Sequence, residues 1–178
     1  MAKKDLSKAK KFIKPNAIVV NDGTSDYVLD NVIRDTTSIA QDDAETTDIE
    51  CETSDSPIYT ATTLGKYQFT AEVGDVQDDL LVALLGFTKD DTSGVIYAPK
   101  SYSNKYVSVA VCYKNPDAEN YTAFVLPKLQ LNSKMTIESL NTNLARITFS
   151  GTAQDGDVKG VSGVTSPFYV DTKYTLPE

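Results

Sequence analysis

The sequence predicts a mainly β fold, a β-sandwich or barrel carrying one flanking α-helix over about residues 76–85. Apolar and polar residues alternate over residues 67–73 and again over residues 107–113, which puts alternate side chains of each strand on one face. Between these two segments lies one stretch in which apolar residues recur with helical spacing. With 178 residues, the chain is long enough for a single domain with a sizeable core.

The helix is predicted from its apolar spacing and its flanking residues. Asp75 suits the N-cap position, with Asp78 three residues later, and Gly86 suits the C-terminal cap. Leucine and valine also occur outside the main stripe, so the helix is expected to be buried deeply or on two sides. The expected core-facing residues are Val76, Leu80, Ala83 and Leu84.

Further strands are predicted on both sides of the helix, over residues 17–20, 27–33, 121–131 and 167–170. Pro127 interrupts the third of these, and because proline has no N–H to donate, an edge or a bulge is expected there. The odd-numbered residues of this segment from 121 to 131 are expected to share one face. Residues 135–140 and 145–149 are predicted to pair as a hairpin around residues 141–143.

Charge divides the chain into a basic N-terminal arm, residues 1–15, and a single β domain, residues 16–178. The first 14 residues contain six lysines and one aspartate, a net charge of +5, so the remaining 164 residues carry −13. A body this acidic repels phosphate, which argues against a sequence-reading DNA-binding protein. The lysines are Lys3, Lys4, Lys8, Lys10, Lys11 and Lys14.

The most acidic stretch is residues 35–55, with eight acids, many threonines and no lysine or arginine. It is predicted to be a long solvated loop with a short strand near residues 46–51. The adjacent pair Asp42 and Asp43 invites a metal-binding interpretation, but the spacing is not that of an EF-hand, and a solvated surface is favoured. No metal and no cofactor are therefore expected.

No pattern typical of catalysis is found in the sequence. The chain has no histidine, which removes the usual Ser-His and Cys-His pairs and imidazole metal ligands. The two cysteines, Cys51 and Cys112, lack metal-like spacing and are interpreted as buried thiols in a reducing compartment. The longest apolar runs, of about six residues, fall far short of the roughly 20 needed for a membrane span. We expect neither an enzyme nor a membrane protein.

Three blocks of sequence, taken in order, resemble the tail tube (major tail) proteins of long-tailed bacteriophages. Residues 35–52 (DTTSIAQDDAETTDIECE) with 55–58 (DSPI) are similar to an early signature of this family, and residues 67–86 (YQFTAEVGDVQDDLLVALLG) to its strand-then-helix unit. The segments 126–131 (LPKLQL), 137–140 (IESL) and 147–153 (ITFSGTA) resemble its closing strands. The resemblance covers roughly residues 30–155.

The resemblance implies a structural virion protein that forms hexameric rings, which stack into a hollow tube through which DNA is ejected into the host. Its partners would be copies of itself and other tail proteins, with DNA passing through transiently and without specific binding. The protein would be assembled in the host cytoplasm and reside in the virion tail.

The basic arm is expected to dock on acidic surface of a neighbouring subunit, so the expected assembly interface includes the six N-terminal lysines. Its acidic side is expected to be Asp42, Asp43, Glu45 and Asp48. Three alternatives stay open. They are an inner-tube subunit of a contractile injection system, a carbohydrate-binding β-sandwich, for which tryptophan platforms are lacking, and a carboxylate-based hydrolase.

Overall fold

The structure, a computed structural model, describes residues 14–29, 32–51, 54–74, 77–98, 100, 105–115, 119–132, 134–136 and 146–177. Most of these residues lie in antiparallel strands and eight form one α-helix, so the predicted mainly β class is confirmed. The division into a basic arm and a β domain stays a prediction, because residues 1–13 lie outside the described residues.

The elements follow one another along the chain in this order. They are β1 (Ala17–Asn21), β2 (Asp26–Leu29), β3 (Ser38–Gln41), β4 (Glu45–Cys51), β5 (Ser54–Thr63), β6 (Tyr67–Val73), α1 (Asp78–Leu85), β7 (Thr88–Asp90), β8 (Val95–Tyr97), β9 (Tyr106–Lys114), β10 (Tyr121–Leu131), β11 (Lys134–Thr136), β12 (Arg146–Gln154), β13 (Gly156–Asp157), β14 (Thr165–Ser166) and β15 (Tyr169–Tyr174).

The central sheet has the strand order β2-β1-β9-β10-β12-β6-β3, with β11 paired to β12 and β15 paired to β10. The chain leaves β2 at Leu29, and three residues later Val32 bridges to Val73 of β6, near the opposite end of this order. Three residues span at most about 10 Å. The sheet therefore curls round until its two ends nearly meet, and we call this curled sheet the barrel.

The barrel encloses the main core. Alternate residues of β6 and β9 point inward, as their periodicity predicted, and the largest fully buried side chains include Phe69, Phe149 and Leu126. The helix packs Leu80, Leu81, Ala83, Leu84 and Leu85 into the same core.

The predicted bulge at Pro127 is present, but its effect on the faces of β10 was not foreseen. The ladder between β9 and β10 shifts register between Leu126 and Leu129, where β10 carries one extra residue. An extra residue moves every later side chain to the other face of a strand. Before the bulge, Ala123 and Val125 join an outer cluster; after it, Leu129 joins the main core. The prediction of one shared face for the odd-numbered residues is wrong.

The outer cluster lies on the far side of β1, β9 and β10. Small and medium apolar residues such as Val19 and Cys112 are buried there, with Tyr169, Tyr174 and Leu176 packed against them. These last three residues belong to β15 and the segment after it, and β15 also pairs with the first half of β10. The C-terminal segment therefore covers one outer face of the barrel.

The helix begins two residues later than predicted, at Asp78. Gln77 occupies the N-cap and makes no side-chain capping hydrogen bond, so the expected cap at Asp75 is wrong. The acids Asp78 and Asp79 instead occupy the first turn, where the helix dipole favours negative charge. At the other end Gly86 is the C-terminal cap, as predicted, and its conformation is left-handed (φ 71°). The Nζ of Lys105 donates hydrogen bonds to the carbonyl oxygens of Val82 (3.0 Å) and Ala83 (2.8 Å).

Other strand predictions differ in extent. Residues 27–33 form the shorter β2 plus the single bridge at Val32. The predicted hairpin of residues 135–149 appears as β11 paired with β12, and residues 137–145 between them lie outside the described part. The last strand, expected at residues 167–170, is β15 and begins at Tyr169.

Candidate assembly surface

The acidic stretch was predicted to be a long loop with a short strand near residues 46–51; that strand is confirmed as β4 (Glu45–Cys51), and most of the rest that the structure describes is strand too. Residues 38–41 form β3 at the edge of the central sheet, and β4 then pairs with β5 in a separate two-stranded sheet. We call residues 45–63, the β4–β5 hairpin, the projecting hairpin. At about 3.3 Å per residue, the seven-residue β4 spans roughly 23 Å, and its pairing with β5 shifts register between Ile49 and Cys51. The prediction of a long loop is wrong because polar, threonine-rich sequence also suits a strand exposed on both faces.

Over residues 45–49 and 59–63, whose side chains the structure describes, the projecting hairpin has one face with apolar side chains and one polar face. Residues directly opposite each other share a face. Ile49 lies opposite Tyr59, and Thr47 lies opposite Ala61, whereas Asp48 faces Thr60 on the other side. Ile49 is 54% exposed and Tyr59 is 62% exposed, so the apolar face is open to solvent. Large apolar side chains displayed together in this way are typical of interaction surfaces.

The base of the projecting hairpin is fixed to the barrel. The backbone N–H of Asp42 donates to the carbonyl oxygen of Lys66 (2.9 Å), and the Gln41 side-chain amide donates to the carbonyl oxygen of Gly65 (3.2 Å). A Cβ added at Gly65 would overlap the backbone of Asp42, which means that the two chain segments touch there. These contacts continue the β3–β6 ladder into the hairpin.

The acidic residues of the predicted interface lie along this hairpin and its base. Asp42 accepts a hydrogen bond from the Gln68 side-chain amide (2.9 Å), and Asp48 accepts one from the Thr60 hydroxyl (2.6 Å). Asp43 and Glu45 are exposed. Asp48 and Glu45 point to opposite faces, because they are three residues apart on one strand. The four acids therefore do not form one patch.

The basic half of the predicted interface lies mostly outside the described residues, which include only Lys14 of the six lysines. Lys14 is exposed, and none of the ion pairs between described residues includes it. The expected docking of the basic arm on acidic surface stays a prediction. Of the expected helix face, Leu80, Ala83 and Leu84 are buried, and Val76 lies outside the described residues.

Sequence reasoning missed the apolar face of the projecting hairpin. The sequence signal for this face is weak: Thr47 and Ile49 are two residues apart on one strand, and Tyr59 and Ala61 are two residues apart on the other, so each pair shares a face. Four residues so spread through polar sequence are a weak pattern until the strand register places them together. These residues can be recognised as one surface only from the register between β4 and β5.

The buried thiol of Cys112 and the partly buried phenol of Tyr174 are better suited to packing in the core than to catalysis. Burial raises the pKa of the Cys112 thiol to about 12, and burial likewise raises the pKa of Tyr174 to about 12. A thiol with so high a pKa is a poor nucleophile. Within the described ranges, no three Cys, Asp or Glu side chains are grouped so as to hold a metal ion.

A cleft of about 300 Å³ lies between the C-terminal segment and the outer face of β1 and β9. Among its lining residues Asp26 is the one carboxylate, accompanied by Lys159, Tyr169 and Tyr174. A two-carboxylate hydrolytic mechanism needs a second acid within about 10 Å, across the bond to be broken. Of the described acids, Asp26 lines the cleft, and Asp171 lies close enough to interact electrostatically with Tyr174.

In the described part of the chain, no helix has the length and apolar character needed to cross a membrane.

Comparison with solved structures gives likenesses of low sequence identity, of which one is described here. No family model matches the chain, and no curated protein matches it. Among solved structures, the chain is similar to Hcp1 from Flavobacterium johnsoniae, with a TM-score of 0.40 and 14% sequence identity. The match covers 88% of this chain and 95% of that one.

Proposed function

We propose that this chain is a structural subunit that assembles with copies of itself into a tube, the tail tube of a long-tailed bacteriophage. The observation that carries the proposal is the projecting hairpin with its exposed apolar face, Ile49 and Tyr59. A two-stranded hairpin alone in water is marginally stable at best. A hairpin of this length and composition is therefore expected to be completed by another protein surface.

Sheet edges support the same proposal. The projecting hairpin has the outer edges of both β4 and β5 unpaired within the described residues, and β3 has one open edge in the central sheet. Open edges invite pairing with other chains, and proteins normally cover or interrupt them. Repeated copies arranged in a ring would cover such edges, and hexameric rings that stack are the form the sequence resemblance implies.

The charge of the body suits a conduit for DNA. Residues 15–178 carry a net charge of −13, so the protein as a whole repels phosphate. Lysine and arginine contacts to phosphate would slow DNA sliding through a channel. In this proposal the protein is not an enzyme, and it acts in the virion tail after assembly in the host cytoplasm.

The test is assembly of the purified protein, followed by negative-stain microscopy and sedimentation velocity. We expect rings or tubes at high protein concentration. The double variant Ile49→Ser with Tyr59→Ser should remain folded and lose these assemblies, because it removes the apolar face. The matched control is Thr46→Ser with Thr62→Ser on the opposite face, which should assemble as the parent does. A parent protein that stays monomeric at high concentration in every salt condition would refute the proposal.

A further inference from the structure

A patch of small apolar side chains on the outer face of β1, β9 and β10 is covered by one short segment of the chain. Cys112 and Ala123 are fully buried in this outer cluster. The side chains packed over it from the C-terminal segment are Tyr169, Tyr174 and Leu176. All three lie within residues 167–177, which we call the C-terminal strap.

The C-terminal strap packs less tightly than the strands beneath it. The structure describes every residue from 167 to 177, and none of them is fully buried, whereas more than half of β10 is. The cleft of about 300 Å³ lies between the strap and the outer cluster, with Tyr174 on one side and Ala110 on the other. Asn21 and Asp26 also line this cleft, so it can hold water. The closed strap therefore leaves part of its contact surface unfilled.

The backbone of the C-terminal strap is held along one edge. β15 pairs with β10 opposite residues 123–125, and the register then shifts before Tyr121. The other edge of β15 pairs with no strand in the described part of the chain. Separation of the strap breaks this one short ladder and leaves the pairing of β10 with β9 intact. An edge strand held in this way can open at a lower free energy than the sheet to which it is attached.

The chain is anchored to the barrel just before the C-terminal strap. A Cβ added at Gly156 of β13 would lie 2.9 Å from the Cβ of Lys128 and 3.1 Å from the Cβ of Pro127, so β13 lies directly against the bulge of β10. β13 pairs with β14, which ends at Ser166. The anchor is outside the strap, and the strap can therefore leave the outer cluster without displacing β12.

One side chain of the C-terminal strap reaches the margin of the main core. The ring of Phe168 stacks between those of Tyr67 and Phe124, with centroids 5.1 and 6.1 Å away. These aromatic contacts favour the closed position of the strap. Phe168 is half-buried, so its ring can leave without creating an enclosed cavity in the barrel.

We infer that the C-terminal strap is a cover that opens as one unit while the barrel stays folded. When closed, it occupies the edge of β10 and hides the outer cluster. When open, it presents an unpaired strand edge beside an apolar face, the combination through which a strand of another chain adds to a sheet. The strap is thus an intramolecular inhibitor of pairing at this face. The inference concerns the monomer and goes beyond the proposed function.

Labelling of Cys112 with a thiol reagent measures how often the strap opens. The protein carries Cys51→Ser and is kept at low concentration without urea. Tyr174→Ala should raise the labelling rate of Cys112 by about tenfold or more, because the strap loses a ring that packs on the outer cluster. Thr172→Ala, at an exposed position of the same strand, is the matched control and should label as the parent does.

A core variant separates opening of the strap from unfolding of the barrel. Leu84→Ala should leave the labelling rate of Cys112 close to that of the parent, because opening of the strap does not uncover Leu84. If Cys112 is uncovered only when the whole barrel unfolds, this core truncation must accelerate labelling by at least about thirtyfold, and that result would overturn the inference. An unchanged rate in Tyr174→Ala would overturn it too. Neither result bears on tube assembly, which is tested at high protein concentration.

Hydrogen exchange of the unaltered protein gives a second test that needs no substitution. The protected amides of residues 169–174 should exchange together, at least about tenfold faster than those of β6. Their exchange should rise less steeply with urea than global unfolding does, because opening of the strap exposes less surface. Equal rates and equal urea dependence for β15 and β6 would show that the strap and the barrel unfold together, contrary to the inference.

Discussion

The barrel and the projecting hairpin are built from antiparallel strands of similar length, yet they place their apolar side chains in opposite environments. In the barrel, alternate residues of β6, β9 and β12 are buried in the main core, to which the helix also contributes side chains. In the projecting hairpin, the same alternation leaves Ile49 and Tyr59 open to solvent. Alternating apolar residues therefore specify which side chains share a face, while the surroundings of the strand decide whether that face is buried in a core or open to solvent.

The largest expected contrast is in thiol reactivity. At pH 8, Cys112 should react with a thiol reagent about a thousandfold more slowly than a cysteine at position 60 of the projecting hairpin, because burial raises the pKa of Cys112 from 9.0 to about 12. Both rates are measured in the Cys51→Ser background, with and without Thr60→Cys. Similar rates at the two positions would mean that the outer cluster opens readily.

The same burial predicts how stability changes with pH. Folding favours the neutral thiol of Cys112 and the neutral phenol of Tyr174, whose pKa is raised from 10.0 to about 12. Their contribution is complete below pH 9 and is lost as the pH rises from about 9 to about 12, since the unfolded chain ionises first. Urea unfolding at pH 8 and pH 10.5 should show this loss, and Tyr174→Phe should reduce it.

Truncating the core should destabilise the barrel strongly. Leu84→Ala is expected to lower the free energy of unfolding by about 2–5 kcal/mol, because Leu84 is 2% exposed and its removal leaves a cavity. Leu64→Ala is the control, since Leu64 is 77% exposed at the base of the projecting hairpin. Urea unfolding at low protein concentration measures both, and a change below about 1 kcal/mol for Leu84→Ala would place the helix outside the cooperative core.

An intermediate effect is expected where the helix is tied to β9. Lys105→Met should cost about 1–2 kcal/mol, because it removes two charge-assisted hydrogen bonds to the helix carbonyls of Val82 and Ala83. Lys173→Met, at an exposed position in β15, is the matched control. Equal stability of the two variants would show that Lys105 is not needed to hold the helix end.

The smallest effect on folding is expected in the projecting hairpin. Tyr59→Ser should change the free energy of unfolding of the monomer by less than about 0.5 kcal/mol, because its side chain is 62% exposed. Its effect should appear in sedimentation as lost assembly. A large loss of monomer stability would mean that the hairpin packs on its own barrel.

Deleting residues 2–14 should leave the barrel folded and slow tube growth at moderate ionic strength. The reason is that the arm would meet acidic surface of a neighbour through exposed ion pairs, each worth about 0–1 kcal/mol and weakened by salt. Growth is followed by light scattering across a salt series. Equal growth of the full and truncated chains would exclude the basic arm from assembly.

Local periodicity predicted the parts of the fold whose burial follows from their own sequence. Residues 67–73, residues 107–113 and the helix needed no knowledge of their partners. The face reversal at Pro127 was missed because it depends on the register against β9, which local sequence does not contain. The N-cap at Gln77 was missed because an aspartate two residues earlier is also a good capping residue.

The candidate site was only partly predictable. Sequence pointed to residues 42–48 for their charge, whereas the apolar face that carries the proposal depends on the pairing of Ile49 with Tyr59 across the hairpin. Neither residue is unusual in its own segment.

The close crossing of the backbone at Gly65 and Asp42 has a mechanical consequence. There is no room even for a methyl group between the two segments, and the backbone N–H of Asp42 donates to the carbonyl oxygen of Lys66 beside them, so turning the hairpin at its base would strain the end of the β3–β6 ladder. The projecting hairpin is therefore held rigidly at its base and is not joined to the barrel by a flexible linker. A load applied near its tip would be transmitted as torque into β6 and the barrel, so a stack of such subunits would resist bending and twisting along its whole length.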